Sequence, residues 1–433
     1  MSSIREFVLN HPLFDHHDHH MSYTEFEAQR HSFDYASLLA YAHDDLVTAA
    51  AGVRSEIEEP ARGLAARYWP KIAATGYARG VTLACQALFG LDFSPENFEA
   101  ITEALQQAIA GRSAAEVYHY YMHERAQNKW TINDYISDHL SDLGKHSALS
   151  PHLFPDSYRC ALRVDELLAA VDAVPIEALE GFTGTAIYTL ADLERALDLV
   201  IDRFLASGRL AAIKIGMVYQ RPLKVGEPTR QEAEAAFSRI RARRSFREAI
   251  QQVYGAVDAE TSLALSDHFV HRLLQRAADE ALPVQVHTGY LAGHWRPQAG
   301  ASVMHLLPLF DRYRRVRFDI FHASWPWTSE LAAVAKNCPN VWIDMCWAWA
   351  ISPGDSARAL SQWLDCVPYN KIFAYGADNG LPWSNVGFSL QAKLGIARVL
   401  EEKIAEDGMG ERTAEAIAAS IMLLNGEEFY RLG

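Results

Sequence analysis

Apolar and polar positions along the chain fall into eight short apolar runs separated by stretches of helical character. The runs are LFDHHDH at 13–19, WTINDYI at 130–136, YRCALRV at 158–164, LAAIKIGMVY at 210–219, LPVQVHTG at 282–289, VRFDIFHAS at 316–324, NVWIDMCW at 340–347 and KIFAYGAD at 371–378. Runs of this length read as strands, and strands alternating with helices imply parallel βαβ units. Eight of them predict an α/β chain closed into a (β/α)8 TIM barrel.

The spacing departs from regularity in two places. Residues 22–129 carry no strong strand pattern but do carry helix starts. Ser94 precedes Pro95 as N-cap before first helical residue, and Ser113 with Glu116 has capping-box spacing. This segment is expected to be a helical insertion rising from the first β/α loop, within a single barrel domain spanning 1–433. A second expansion, Arg221 to Ala281, is rich in Arg, Glu and Ala, as a charged-faced helical pair would be. Phe388 to Gly433 reads as two closing helices.

Composition narrows the classes of function. With 49% hydrophobic and 22% charged residues the chain can bury a sizeable core. A formal net charge of −14 argues against a nucleic-acid or anionic-membrane surface. No apolar run approaches a membrane span, and the N-terminus lacks a signal-peptide core. Five scattered cysteines without CxxC spacing read as reduced thiols of a cytoplasmic protein.

In a parallel barrel the chemistry sits at the C-terminal ends of the strands. The first run packs four histidines and two aspartates into Asp15–His20, a mixture unlike a homopolymeric terminal tag. Strand alternation puts Asp15, His17 and His19 on one face, where His17 and His19 could grip one ion, and sends His16, Asp18 and His20 to the other. His287 ends the fifth run, His322 the sixth and Asp378 the eighth. Each alone has a bland reading, as a packed histidine or a helix N-cap. Lys214 lies inside LAAIKIGMV, where an unpaired buried ammonium would cost several kcal/mol. It must snorkel, pair with an acid or be chemically altered.

His-x-His, Lys, His, His and Asp thus fall in order on strands one, four, five, six and eight. That constellation resembles the amidohydrolase superfamily, whose (β/α)8 barrels hold one or two divalent metals. PLFDHHDHH, AIKIGMVYQR, LPVQVHTG, NVWIDMCW and KIFAYGADN look most like the amidohydrolase domains fused to glutamine-synthetase-like proteins, and the tail NGEEFYRLG resembles that family's closing helix. The long segment after the first strand gives a more distant similarity to uronate isomerases. The resemblance implies His17, His19, His287 and Asp378 as metal ligands and Asp378 as the base acting on metal-bound water. His322 would bind a second metal or polarise the substrate. Lys214 would be a carbamylated bridge between two ions or an amine facing the substrate; a single ion is expected in preference to two. Zinc is the first expectation, with manganese or iron also compatible.

Loops beyond the strand ends offer Tyr219, Arg221, His294 and Arg296 to bind substrate. Arginine there suggests an anionic group such as a carboxylate, and pairing with the chain's own acids is the competing role. Together these features imply a metal-dependent hydrolase of a small molecule, cleaving an amide C–N bond near a carboxylate. The alternative on the same scaffold is a sugar-acid isomerase, decarboxylase or hydratase. A metal-binding scaffold without turnover is disfavoured, since no expected ligand is missing. A small-molecule substrate is expected, with no nucleic acid or membrane partner, and a homo-oligomer is left open with a dimer as the common default.

Overall fold

A computed structural model of the chain describes residues 3–50, 61–135, 140–169, 176–245 and 259–432. All eight strands form: β1 Leu13–Asp18, β2 Asn128–Asn133, β3 Tyr158–Arg163, β4 Leu210–Ile215, β5 Val284–Val286, β6 Phe318–Ile320, β7 Val341–Asp344 and β8 Ile372–Phe373. Each pairs in parallel with the next, in unbroken sequence order. The strands are shorter than the apolar runs because the C-terminal part of most runs leaves the ladder to build the rim. Ile136, at the end of the second run, lies outside the described residues.

The ring closes beyond the regular ladder of β8. Backbone amides of His16, Asp378 and His19 donate to the carbonyls of Tyr375, His17 and Asn379 at 3.2, 2.8 and 2.9 Å. The chain is a TIM barrel. Its floor is filled by Phe14, Ile132, Ala161, Ala212 and Phe373 packed with Phe429 and Tyr430, so the last helix, Asn425–Tyr430, plugs the barrel from below. This is the side-chain filling that makes such a barrel a core rather than a pore.

Between β1 and β2 the described residues are helical, and they pack on the barrel through a second buried apolar cluster that includes Trp69, Tyr118, Trp347 and Trp383. Ser113 and Glu116 form the reciprocal capping box. Ser94 precedes Pro95 as expected but its side chain makes no cap bond. The second expansion holds helices Arg230–Ser245 and Ala259–Asp279; its residues 246–258 lie outside the described ones. At the C-terminus the first closing helix begins earlier than its sequence pattern implies, at Pro382, and runs to Glu406. The remainder is Glu411–Ala419, a π-helical turn at Ser420–Leu424 and the floor helix. None of the described helices is long and apolar enough to cross a membrane.

The helix Gly76–Phe89 lies directly on Pro382–Glu406 because glycine faces glycine. A Cβ on Gly387 would stand 1.9 Å from the carbonyl oxygen of Gly80 and 2.8 Å from the amide of Ala84. Those are backbone atoms that no rotamer change can move. Gly387→Ala should therefore destabilise the protein by about 1–3 kcal/mol, as overpacking does, measured as a lowered midpoint in urea. An unchanged midpoint would show that the two helices separate freely.

Candidate metal centre at the barrel mouth

The geometry of the site starts with an irregularity in β1. Asp15 pairs with Thr131 and Asp18 with Asn133, three steps on one strand against two on the other. One extra residue is a bulge, and a bulge resets which side chains face inward. The strict alternation expected from the sequence is therefore broken. Asp15 and Asp18 turn to a common partner, the Asn385 amide, which donates to both at 2.9 and 2.6 Å. Asn128 also donates to Asp15, at 2.8 Å. His16, expected on the far face with Asp18 and His20, instead points into the barrel. Its Nδ1 lies 3.6 Å from Asp344 on β7, a distance that a β1 side chain spans only through the interior. His20 is buried as well, bonded to the Tyr158 hydroxyl at 2.5 Å.

The two aspartates connect β1 to the loop that carries Asp378. Asp15 accepts the Ala377 amide at 3.1 Å, and Asp18 accepts the Asn379 amide at 2.9 Å. Asp378 sits between these anchors in the left-handed region, at φ 56°. Left-handed backbone also occurs at His322, Ala323 and Ser324 after β6, and at Trp347 after β7. Such residues cost energy and persist where the surroundings hold them, commonly at functional sites.

Around Asp378 the expected ligands converge. His19 Nε2 is 3.1 Å and His17 Nε2 3.9 Å from Asp378 Oδ1, while His322 Nε2 is 3.9 Å from Oδ2. Burial alone would raise the Asp378 carboxyl, but the His19 contact and the nearby His322 and Lys214 hold it well below the usual range. Burial would likewise lower His19, and its bond to Asp378 raises it instead. His17 is driven well down by burial and by Lys214. Its Nδ1 is buried without a partner. Lys214 resolves its awkward position by lying 3.7 Å from the Phe321 ring centroid and 3.4 Å from His17 Nε2. Burial pushes its ammonium down to about 8.

His287 and His322 form the most telling pair. His287 Nε2 lies 2.9 Å from the Tyr290 carbonyl, and His322 Nδ1 lies 3.1 Å from the Cys346 carbonyl. A carbonyl can only accept, so each of those nitrogens must carry the ring's proton. That leaves the lone pairs of His287 Nδ1 and His322 Nε2 facing each other across 2.9 Å. Two opposed lone pairs in a buried site require a shared cation, either a proton or a metal ion. Burial pushes His322 down to about 3 and His287 well down. The donor set fits a divalent ion: His17, His19 and Asp134 bring ligand atoms within 4.8 Å of one another, and so, as a separate group, do His322, Cys346 and Asp378.

The residues expected to bind substrate divide. Tyr219 reaches the mouth, its ring 4.8 Å edge-on to that of His287. Arg296 lies over Tyr219 at 5.7 Å, and His294 Nε2 is 3.2 Å from the Asp44 carbonyl. Arg221 is instead buried against the helix Ala259–Asp279, 2.6 Å from Asp267 and 2.5 Å from the Ser266 hydroxyl. It takes the competing role of pairing with the chain's own acid.

Three residues at the site are absent from the sequence expectations. The Tyr41 hydroxyl donates to Asp378 Oδ1 at 3.1 Å; nothing local in the sequence marks it. Asp134 presents its carbonyl to His19 Nδ1 at 2.8 Å and its carboxylate to Arg163 at 3.1 Å. Arg163 ends β3, bonds Asp165 as well, and acts electrostatically on His17 and Lys214. The test that singled out Lys214, a charge inside an apolar strand, would also have found Arg163.

Comparison with known proteins agrees with the barrel fold. Residues 223–432 are similar to the Amidohydrolase family model. A curated relative, Protein fluG of Emericella nidulans, is 24% identical over 195 residues, covering 44% of this chain and 22% of that protein. The chain thus spans well under half of that relative's length. Two solved structures superpose on nearly the whole fold. Uronate isomerase from Thermotoga maritima has a TM-score of 0.76 at 13% identity, covering 99% of this chain and 96% of its own. Glucuronate isomerase from Caulobacter crescentus has a TM-score of 0.77 at 17% identity, covering 99% and 93%. At these identities the likeness is one of fold.

Asn385 is the buried donor on which the ligand loop depends. Asn385→Leu removes it from two buried carboxylates and should cost about 3 kcal/mol. Metal affinity should fall about 10- to 100-fold, as on loss of an outer-shell partner. Urea denaturation and metal titration check both, and wild-type values in each would show that the Asn385 bridge is dispensable.

Proposed function

We propose that the chain is a metal-dependent hydrolase that cleaves an amide C–N bond near a carboxylate in a small molecule. The observation that carries this reading is the opposed pair His287 Nδ1 and His322 Nε2, set beside His17, His19 and an ionised Asp378. His17, His19, His287 and Asp378 would hold the ion. A divalent ion supplies Lewis-acid polarisation of a carbonyl and lowers the pKa of water from 15.7 to about 7; zinc is the first choice for this donor set, with manganese or iron also compatible.

The chain's own groups have separable tasks. Asp378 Oδ1 receives Tyr41 and His19, so Oδ2 is the oxygen that takes a proton from the nucleophile and returns it to the departing nitrogen. His322, whose Nε2 lone pair faces His287 Nδ1 beside Oδ2, would share the ion with His287. Lys214 supplies positive charge on one side of the site, which suits a substrate carboxylate, while Arg163 is paired with Asp134 and Asp165. Tyr219, His294 and Arg296 stand at the rim, where the rest of a small substrate would lie.

A second reading is an isomerase acting on a sugar acid. Two observations favour it: the solved neighbours named above are a uronate isomerase and a glucuronate isomerase, each aligned over 99% of the chain, and Tyr41, from the helical segment after β1, touches the base. Tyrosine beside a carboxylate could serve proton transfer at carbon as well as hydrolysis.

Metal analysis followed by a panel of γ-glutamyl amides, N-acyl amino acids and sugar acids decides between them. Amine release abolished by chelator and restored by zinc or manganese is the expected result; turnover of sugar acids alone would transfer the assignment to isomerisation. His17→Ala and Asp378→Asn should each lose activity by a factor of at least 100 and lose metal at the mouth, with circular dichroism unchanged. Full activity in either would sink the metal assignment. A carbamate mass increment on Lys214 would mark a two-ion mouth in place of the single ion expected.

A further inference from the structure

Below the mouth, the barrel interior holds a second group of ligand-type side chains that the chemistry above does not use. His16 of β1, Asp319 of β6 and Asp344 of β7 are each at most 1% exposed. His16 Nδ1 lies 3.8 Å from Asp319 Oδ2 and 3.6 Å from Asp344 Oδ2. Both separations are too long for a hydrogen bond. They are close to the edge of a tetrahedron of N and O ligands, which is about 3.4 Å for metal–ligand bonds of 2.0–2.2 Å.

The polar atoms here are unsatisfied in a consistent way. His16 Nδ1, Asp344 Oδ2 and Asp319 Oδ1 are buried with no hydrogen-bond partner. Leaving a buried polar group unpaired costs about 1–3 kcal/mol, more when it is charged. The opposite oxygen of each carboxylate is held in place. Asp344 Oδ1 accepts the Cys346 amide at 2.7 Å, and Asp319 Oδ2 accepts the Tyr430 hydroxyl, itself bonded by Gln285 at 2.8 Å. On the other side of the imidazole, a Cβ on Gly426 would stand 3.0 Å from His16 Nε2. The floor helix thus backs Nε2, and Nδ1 is the nitrogen turned to the acids. Asp344 thus turns its free oxygen to Nδ1, Asp319 turns to it the oxygen that Tyr430 steadies, and an imidazole nitrogen with no hydrogen-bond partner stands between them, an arrangement of ligands with outer-shell support.

We propose that His16, Asp319 and Asp344 form a second, structural site for a divalent transition-metal ion in the barrel interior, separate from the metal centre at the mouth. One imidazole with two carboxylates suits zinc or manganese better than calcium or magnesium. The ion would cross-brace β1, β6 and β7 beneath the mouth and neutralise two carboxylates that no described cation contacts closely. The site is closed, so loading would accompany folding.

The test uses the full chain produced with zinc or manganese. Anomalous scattering from wild-type crystals at the metal edge should show a peak between His16 Nδ1 and the two carboxylates, distinct from any peak beside Asp378. In solution, the double variant His17→Ala/Asp378→Asn should still retain about one ion per chain after dialysis against chelator. Adding Asp344→Asn should remove it. A wild-type map with density at the mouth and none at His16 would overturn the proposal, as would an ordered water or a carboxylate pair sharing a proton there. Metal at His16 with none at the mouth would uphold it while refuting the catalytic reading, so the two fail separately. The map needs no variant, and poor folding of Asp344→Asn leaves it decisive.

Discussion

Closure of the barrel between β1 and the segment after β8 is the constraint on which the site depends. A parallel barrel must join its first and last strands, and here the regular ladder of β8 covers only Ile372 and Phe373. The rest of the seam is made by single backbone bonds and by two buried aspartates that accept amides from Ala377 and Asn379. Buried carboxylates are costly unless fully bonded, and Asn385 meets that requirement for both at once. The same bonds fix Asp378 between its two anchored neighbours. Barrel closure and placement of the principal carboxylate are one set of interactions.

Left-handed backbone gathers along the rim, at the seam and on the strands before it. Left-handed residues at His322–Ser324, Trp347 and Asp378 lie beyond the ends of β6, β7 and β8. His322 and Cys346 show the consequence. The Cys346 carbonyl fixes the proton on His322 Nδ1 and so directs the Nε2 lone pair at His287, while the Cys346 amide holds Asp344 Oδ1. One residue therefore sets a ligand at the mouth and a carboxylate in the interior. The helical segment after β1 completes the enclosure, supplying Tyr41 to Asp378 and Asp44 to the loop after β5.

Much of this is legible in the chain. Eight apolar runs placed eight strands, because strand length and turn residues are local properties, and the polar residues ending those runs included most of the groups that converge at the mouth. What the sequence concealed has physical causes. The bulge in β1 depends on pairing with β2, more than a hundred positions away, so DHHDHH reads locally as clean alternation, which puts His16 on the wrong side. Arg221 looked like a substrate residue because the acid that takes it, Asp267, lies on a distant helix. Tyr41 belongs to a segment whose fold is set by packing on the barrel, so no spacing rule reaches it.

The division between hydrolysis and isomerisation rests on what Asp378 meets. Both reactions need a carboxylate that moves a proton beside a polarised carbonyl, so ligands and fold are shared and cannot separate them. The distinguishing element is the second proton carrier. Hydrolysis returns one proton to a leaving nitrogen, which a single carboxylate oxygen can do alone. Moving a hydrogen between carbons while shifting a carbonyl needs a further group near the oxygens that exchange roles. Tyr41 is placed for that task, yet burial and the Asp378 charge drive its hydroxyl well up, making it a firm donor and a poor base. A hydroxyl of that kind gives its one proton to Asp378 and steadies the carboxylate that both reactions share.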